Sequence, residues 1–170
     1  MQTISPIAPQ DSGADILVKS PDGEYLLVVE VKPKNHQQMV RYALESIRRA
    51  MVSFDCSLGL IVAGDRVILL RDSLAEYNGA SIEVVGESLL PLELLPPADP
   101  QWQGQAGIEF ESRVQNWLEG LKIQTNVDKL PADLKNLLNE PVIFLLNWGE
   151  IRAAGYRYSH IRVNENFDLP

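Results

Sequence analysis

Apolar residues follow two rhythms along this chain. Up to about residue 90 they come in short runs of Leu, Val and Ile: "ADILVKS" (14–20), "EYLLVVEVK" (24–32), "CSLGLIVAGDRVILLRD" (56–72) and "ASIEVVG" (80–86). Gly13, Asp22-Gly23, Pro33 and Gly64-Asp65 punctuate these runs, which is the pattern of β-strands joined by tight turns. Between the second and third runs, Met39, Tyr42, Ala43, Ile47, Ala50, Met51 and Phe54 recur at helical spacing. The spacing predicts a helix from about His36 to Val52, with Asn35 as its N-cap and Gln38 as the capping-box partner. The order β, β, α, β, β predicts an α/β fold built on a mixed sheet. Both faces of the first two strands are apolar except at one end, so helices are expected on both sides.

Prolines and glycines gather in "LLPLELLPPADPQWQGQAG" (89–107), and a boundary is placed near residue 97. The division gives a core over 1–97 and a mainly helical C-terminal appendage over 98–170, packed on the core or on another subunit. In the appendage Phe110, Val114, Trp117, Leu118 and Leu121 share one helical face, Pro131 starts a second short helix, and "PVIFLLNWG" (141–149) is a candidate third. "YRYSHIRV" (156–163) reads equally as an edge strand or an ordered tail.

A chain of 170 residues with 45% hydrophobic content can bury a core, and Cys56 stands alone, which excludes a disulfide framework within one chain. There is no leader-like N-terminus and no apolar run of the ~18 residues that spanning a bilayer needs. The expectation is a soluble, cytoplasmic protein with no membrane partner. The net charge of -8 counts against a nucleic-acid partner, but residues 1–53 are neutral, with six Lys and Arg against six acids, and the whole excess lies further on.

Within that neutral region the two strands of 13–34 each carry a carboxylate among aliphatic residues, Asp15 and Glu30, with Lys32 two places after the second. Burying an unpaired charge costs several kcal/mol, so these positions need a reason. With Asp22 and Gly23 at the centre of a type I′ turn, facing residue numbers sum to 45 and Asp15 lies opposite Glu30. The β-carbons are then ~5 Å apart, and Lys32 shares their face, as do Leu17, Leu26 and Val28. Such a carboxylate pair is relieved by a shared proton or a bound cation. A hard ion such as Mg²⁺ (or Mn²⁺) suits it, and with Lys32 alongside the group could activate water and stabilise charge developing on a phosphodiester.

These residues resemble the PD-(D/E)xK nuclease superfamily, through Asp15, the fourteen residues after it, and then Glu30-Val31-Lys32. The resemblance spans roughly residues 13–72 and implies a restriction-endonuclease-like fold. It also implies metal binding by Asp15, Glu30 and the Val31 carbonyl, and assistance by Lys32 to the attacking water or the phosphate. Gln38 and Tyr42 are similar to the QxxxY element of RecB-like members; with Lys34 and Arg41 they are the expected contacts to DNA. A Mg²⁺-dependent nuclease hydrolysing DNA is the function so implied. The family often adds an acid from a helix ahead of the first strand, and the fourteen residues before Asp15, two of them proline, leave little room for one.

Structural readings stand beside these. Asp15 and Glu30 can form salt bridges with Lys19, Lys32 or Lys34; Gln38 can serve the capping box and Tyr42 the core; His36 suits a surface position. Arg41, Arg48 and Arg49 can solvate the helix. Arg152, Arg157 and Arg162 with Tyr156 and Tyr158 suit an edge strand protected by charge better than a nucleic-acid strip. Trp102, Trp117 and Trp148 suit packing or an interface. The competing function is a catalytically inactive module of the same fold, regulatory or protein-binding, that uses its C-terminal helices as interface, including for a homodimer.

Overall fold

The computed structural model describes residues 14–139 and 141–154. Six strands form one open mixed sheet: β1 (Ile16–Lys19), β2 (Tyr25–Lys32), β3 (Leu58–Ala63), β4 (Arg66–Asp72), β5 (Ile82–Leu89) and β6 (Glu150–Ala153), in the order β5-β4-β3-β2-β1-β6. The pair β2–β3 is parallel and every other neighbouring pair is antiparallel. The parallel pair needs a crossover, and helix α1 (Gln37–Ser53) makes it. Four more helices follow β5: α2 (Ala106–Gly120), α3 (Gln124–Asp128), α4 (Ala132–Leu138) and α5 (Pro141–Trp148).

The helical layers sit on opposite faces, as the two-sided apolar strands require. Val40, Ala43, Ile47, Ala50 and Met51 of α1 meet Val28, Ile61, Ala63, Ile68 and Leu70 on one face. Gly59 lets this helix come close: a β-carbon there would stand 2.8 Å from Met51 Sδ and 2.9 Å from Ile47 Cδ1. The other face buries Ile16, Val18, Leu27, Val29, Leu60, Val62 and Leu69 under α2 to α5, through Val114, Trp117, Leu118, Leu134, Leu138, Val142 and Leu146. The segment after residue 97 therefore packs on the core, covers a whole face of the sheet and supplies its edge strand β6. Trp102 and Trp117 are buried while Trp148 is half-exposed. The stretch 156–163, including Tyr156, Arg157, Tyr158 and Arg162, lies outside the described residues.

Three local expectations change. The first is the β1–β2 turn. Gly23 N donates to Ser20 O at 2.9 Å and Gly23 has φ +93°, so Pro21 and Asp22 form the centre of the turn and Gly23 takes the left-handed position after it. Pro21 supplies the φ that the first central position wants, which outweighs the Asp-Gly signal. Register is nonetheless kept beyond the turn: Lys19 faces Tyr25, a bulge accommodates Leu26, and Val18↔Leu27, Leu17↔Val28 and Ile16↔Val29 restore the sum of 45. The second change follows from the bulge, which sends Leu26 to the α2–α5 face and Tyr25 to the α1 face. The third is the start of α1. His36 is the N-cap, its Nδ1 accepting from Met39 N at 3.3 Å, while Asn35 Nδ2 donates to Asp65 Oδ1 at 2.6 Å. The capping box of Asn35 and Gln38 is therefore not formed, and Tyr42, at 56% exposed, is a surface residue and not core.

Candidate metal and phosphate site

The parallel strand pair ends at Lys32 and Ala63, and the chain leaves β2 there to begin α1. In open α/β sheets such carboxyl ends of strands are where ligands are held. Glu30 and Lys32, two apart on β2, share a face. Asp15 arrives from the residue before β1.

Asp15 is tied to β2 and to the residue after β6. Its amide donates to Val29 O at 2.9 Å and its carbonyl accepts from Ala154 N at 2.8 Å, just past β6. Its carboxylate Oδ2 accepts from Val31 N at 2.7 Å. The β1 ladder ends at Ile16↔Val29, and the Asp15 side chain takes over where a strand carbonyl would otherwise continue the pairing. Because a strand residue turns its N–H and C=O to the same side, the Val31 carbonyl faces the Asp15 edge along with its amide.

Glu30 is the anomaly of the sheet, a carboxyl only 2% exposed. Burial, the neighbouring Asp15 charge and a hydrogen bond between the two carboxyls push its pKa up to about 9; Lys32 acts in the opposite sense and is outweighed. Lys32 Nζ lies 3.4 Å from Glu30 Oε1, with the lysine side chain about a quarter exposed, so the amine also reaches solvent. As an ionised oxygen, the buried Glu30 Oε2 has no hydrogen-bond partner among the described residues. A proton on Oε2 donated to Asp15 supplies what it lacks, and so would a cation between the two carboxyls.

Asp15, Glu30, Val31 and Lys32 are thus brought together. Lys34, Gln38, Arg41 and Tyr42 are all exposed, on the loop into α1 and on its outward rows, and among the described residues no hydrogen bond or ion pair links them to the carboxyls. Of the lysines offered as salt-bridge partners, Lys32 pairs with Glu30, whereas Lys19 stands over the Tyr25 ring, 5.5 Å from its centroid. His36 serves as the helix cap. No group of three or more His, Cys, Asp or Glu side chains is arranged to hold a metal ion among the described residues. Any cation here would therefore rest on two carboxyls, a backbone carbonyl and water, a set that suits Mg²⁺, which keeps several waters. The contact from Ala154 was not visible in sequence, because it depends on the four-residue strand β6 returning to the sheet. Among the described residues no helix is long and apolar enough to cross a membrane. Comparison with protein-family models, curated proteins and solved structures gives no match.

Proposed function

We propose that the chain is a divalent-cation-dependent nuclease of restriction-endonuclease-like fold that hydrolyses DNA phosphodiester bonds. One observation carries this reading: a carboxyl shut away from water, Glu30, set against a second carboxyl whose orientation the backbone dictates, Asp15. Asp15, Glu30 and the Val31 carbonyl would hold Mg²⁺ or Mn²⁺, and the ion would supply a Lewis acid for the phosphoryl oxygen and lower the pKa of water. The residues themselves contribute orientation and charge. The Val31 amide fixes the Asp15 carboxylate, and the sheet excludes water from Glu30. Lys32, anchored at Glu30 Oε1 yet open to solvent, offers its ammonium to a phosphate oxygen. Gln38, Tyr42, Lys34 and Arg41 then meet the DNA strand on the outward side of α1.

The test has two parts. Titration with Mg²⁺ or Mn²⁺ should raise the melting temperature of the wild type and leave Asp15→Ala unmoved. DNA should be cut by the wild type and not by Lys32→Ala. A wild type with no thermal response to either ion would end this reading.

A second reading has its own observation. Phe144 and Trp148 on α5 are 66% and 48% exposed, with ring centroids 6.5 Å apart, an aromatic pair of the type enriched at interfaces. A non-catalytic module of the same fold would use this helix to bind a partner protein or a second copy. It predicts that Phe144→Ser changes association while both ions leave the melting temperature unaltered.

A further inference from the structure

A local excess of positive charge lies on α1 and the loop that enters it. Residues 34–54 hold Lys34, Arg41, Arg48 and Arg49 against the single acid Glu45, a local charge of +3, while the remaining residues hold eleven Lys and Arg against twenty-two acids. All four cations are exposed, and none is in an ion pair among the described residues. Because α1 turns Val40, Ala43, Ile47, Ala50 and Met51 onto the sheet, its outward positions are fixed. At 3.6 residues per turn, Arg41 and Arg48 stand in one outward row, about 10.5 Å apart along the axis, Tyr42 and Arg49 stand in the row beside it, and the exposed Glu45 lies between the two.

Three exposed arginines around one glutamate, in a chain whose remaining residues are strongly acidic, favour a polyanion at this face. Tyr42 narrows the choice. Its exposed ring offers a stacking face that an unpaired base can use and that a duplex, whose bases already stack on one another, cannot. We propose that the outward face of α1 is a track for single-stranded nucleic acid. On it Arg48 and Arg49 extend the contact with the strand over the far half of the helix, and the near end delivers the strand to the carboxyl cluster where β2 ends. The direction of delivery rests on the nuclease reading; the track itself does not.

The experiment measures binding apart from cleavage. The full chain in EDTA is titrated into fluorescein-labelled oligothymidylate of about twenty nucleotides, followed by anisotropy between about 50 and 200 mM KCl. Arg48→Gln with Arg49→Gln is expected to weaken binding about tenfold at the lowest salt. The same change should reduce the slope of log K against log salt by about 1.4, two contacts at about 0.7 each. Lys129→Gln with Lys135→Gln removes the same charge elsewhere and should leave affinity and slope near wild type. The proposal is overturned if the arginine pair changes neither quantity, if the lysine pair changes both as much, or if the wild type does not bind. It is equally overturned if duplex of the same length binds as tightly, or if polyglutamate competes as well as DNA, which would make an acidic protein the partner. A separate Mg²⁺ cleavage assay keeps the two readings distinguishable. Binding without hydrolysis removes the nuclease and leaves the track, and hydrolysis with an indifferent arginine pair removes the track and leaves the nuclease.

Discussion

The two faces of the sheet are built from the same strands and serve different ends. Under α2 to α5 the strands meet an aliphatic and aromatic cluster that runs from Ile16 and Val29 to Trp117 and Leu146. The face under α1 begins in the same way, with Val28, Ile61 and Ile68, then gives way to Asp15, Glu30 and Lys32 at the carboxyl end of β2. The second face gives up some stability to keep a carboxyl out of water. A buried acid beside a second acid is a cost that an apolar residue of similar size would avoid.

The sharpest break of this comparison is Leu118→Ala on the apolar face, where the side chain is fully buried. It should lose about 3–5 kcal/mol by urea denaturation with little change in metal response. On the other face Glu30→Gln should do the reverse, gaining about 2–4 kcal/mol at pH 7.5 while abolishing any response to Mn²⁺. The sign follows from proton counts. With a folded pKa near 9 against 4.5 for the ordinary group, the folded state holds more protons than the unfolded between those values. Stability of the wild type therefore falls as pH rises through this window, by up to about 1.4 kcal/mol per pH unit, and it is greatest toward the acid end. Thermal melts of wild type and Glu30→Gln at a series of pH values should separate the two; parallel profiles would contradict the account of Glu30.

Cation binding is the next largest effect. At one hundred times its dissociation constant, Mg²⁺ or Mn²⁺ should add about 2.7 kcal/mol. The gain should be larger at pH 8.5 than at pH 6.5, since the ion must displace the proton that Glu30 holds. A stabilisation independent of pH would place the ion elsewhere. The smallest effect concerns the helix leading from the site: His36→Ala should cost about 1 kcal/mol through the lost cap, and a Gln38 substitution should leave the cap intact. Equal losses from the two would restore the capping box that the structure does not form.

Much of this was legible in sequence where chain-local rules decide. The strands β1 to β4, helix α1 and the apolar face of α2 follow from spacing alone, and the 45-sum register survives because burial of Val18, Leu27 and Val29 specifies it more strongly than the turn does. The turn was misread because Pro21, a residue that sets φ, stands next to the Asp-Gly pair. The cap was misread because Asn35 and His36 compete for one position, and Asp65, thirty residues away in sequence, takes Asn35. At the site, the convergence of Asp15, Glu30 and Lys32 could be read from period two. The bond from Ala154 to Asp15 could not, since it arises from tertiary packing.

That last bond has a consequence for synthesis. Asp15 is among the first described residues to leave the ribosome, and the amide that fastens its carbonyl is among the last. A nascent chain can pair β1 with β2 early and so set the Asp15 carboxylate on the Val31 amide, yet the backbone carbonyl of Asp15 finds its partner only when β6 has returned to the sheet edge. The outermost bond at this corner of the sheet is thus among the last that a growing chain can make.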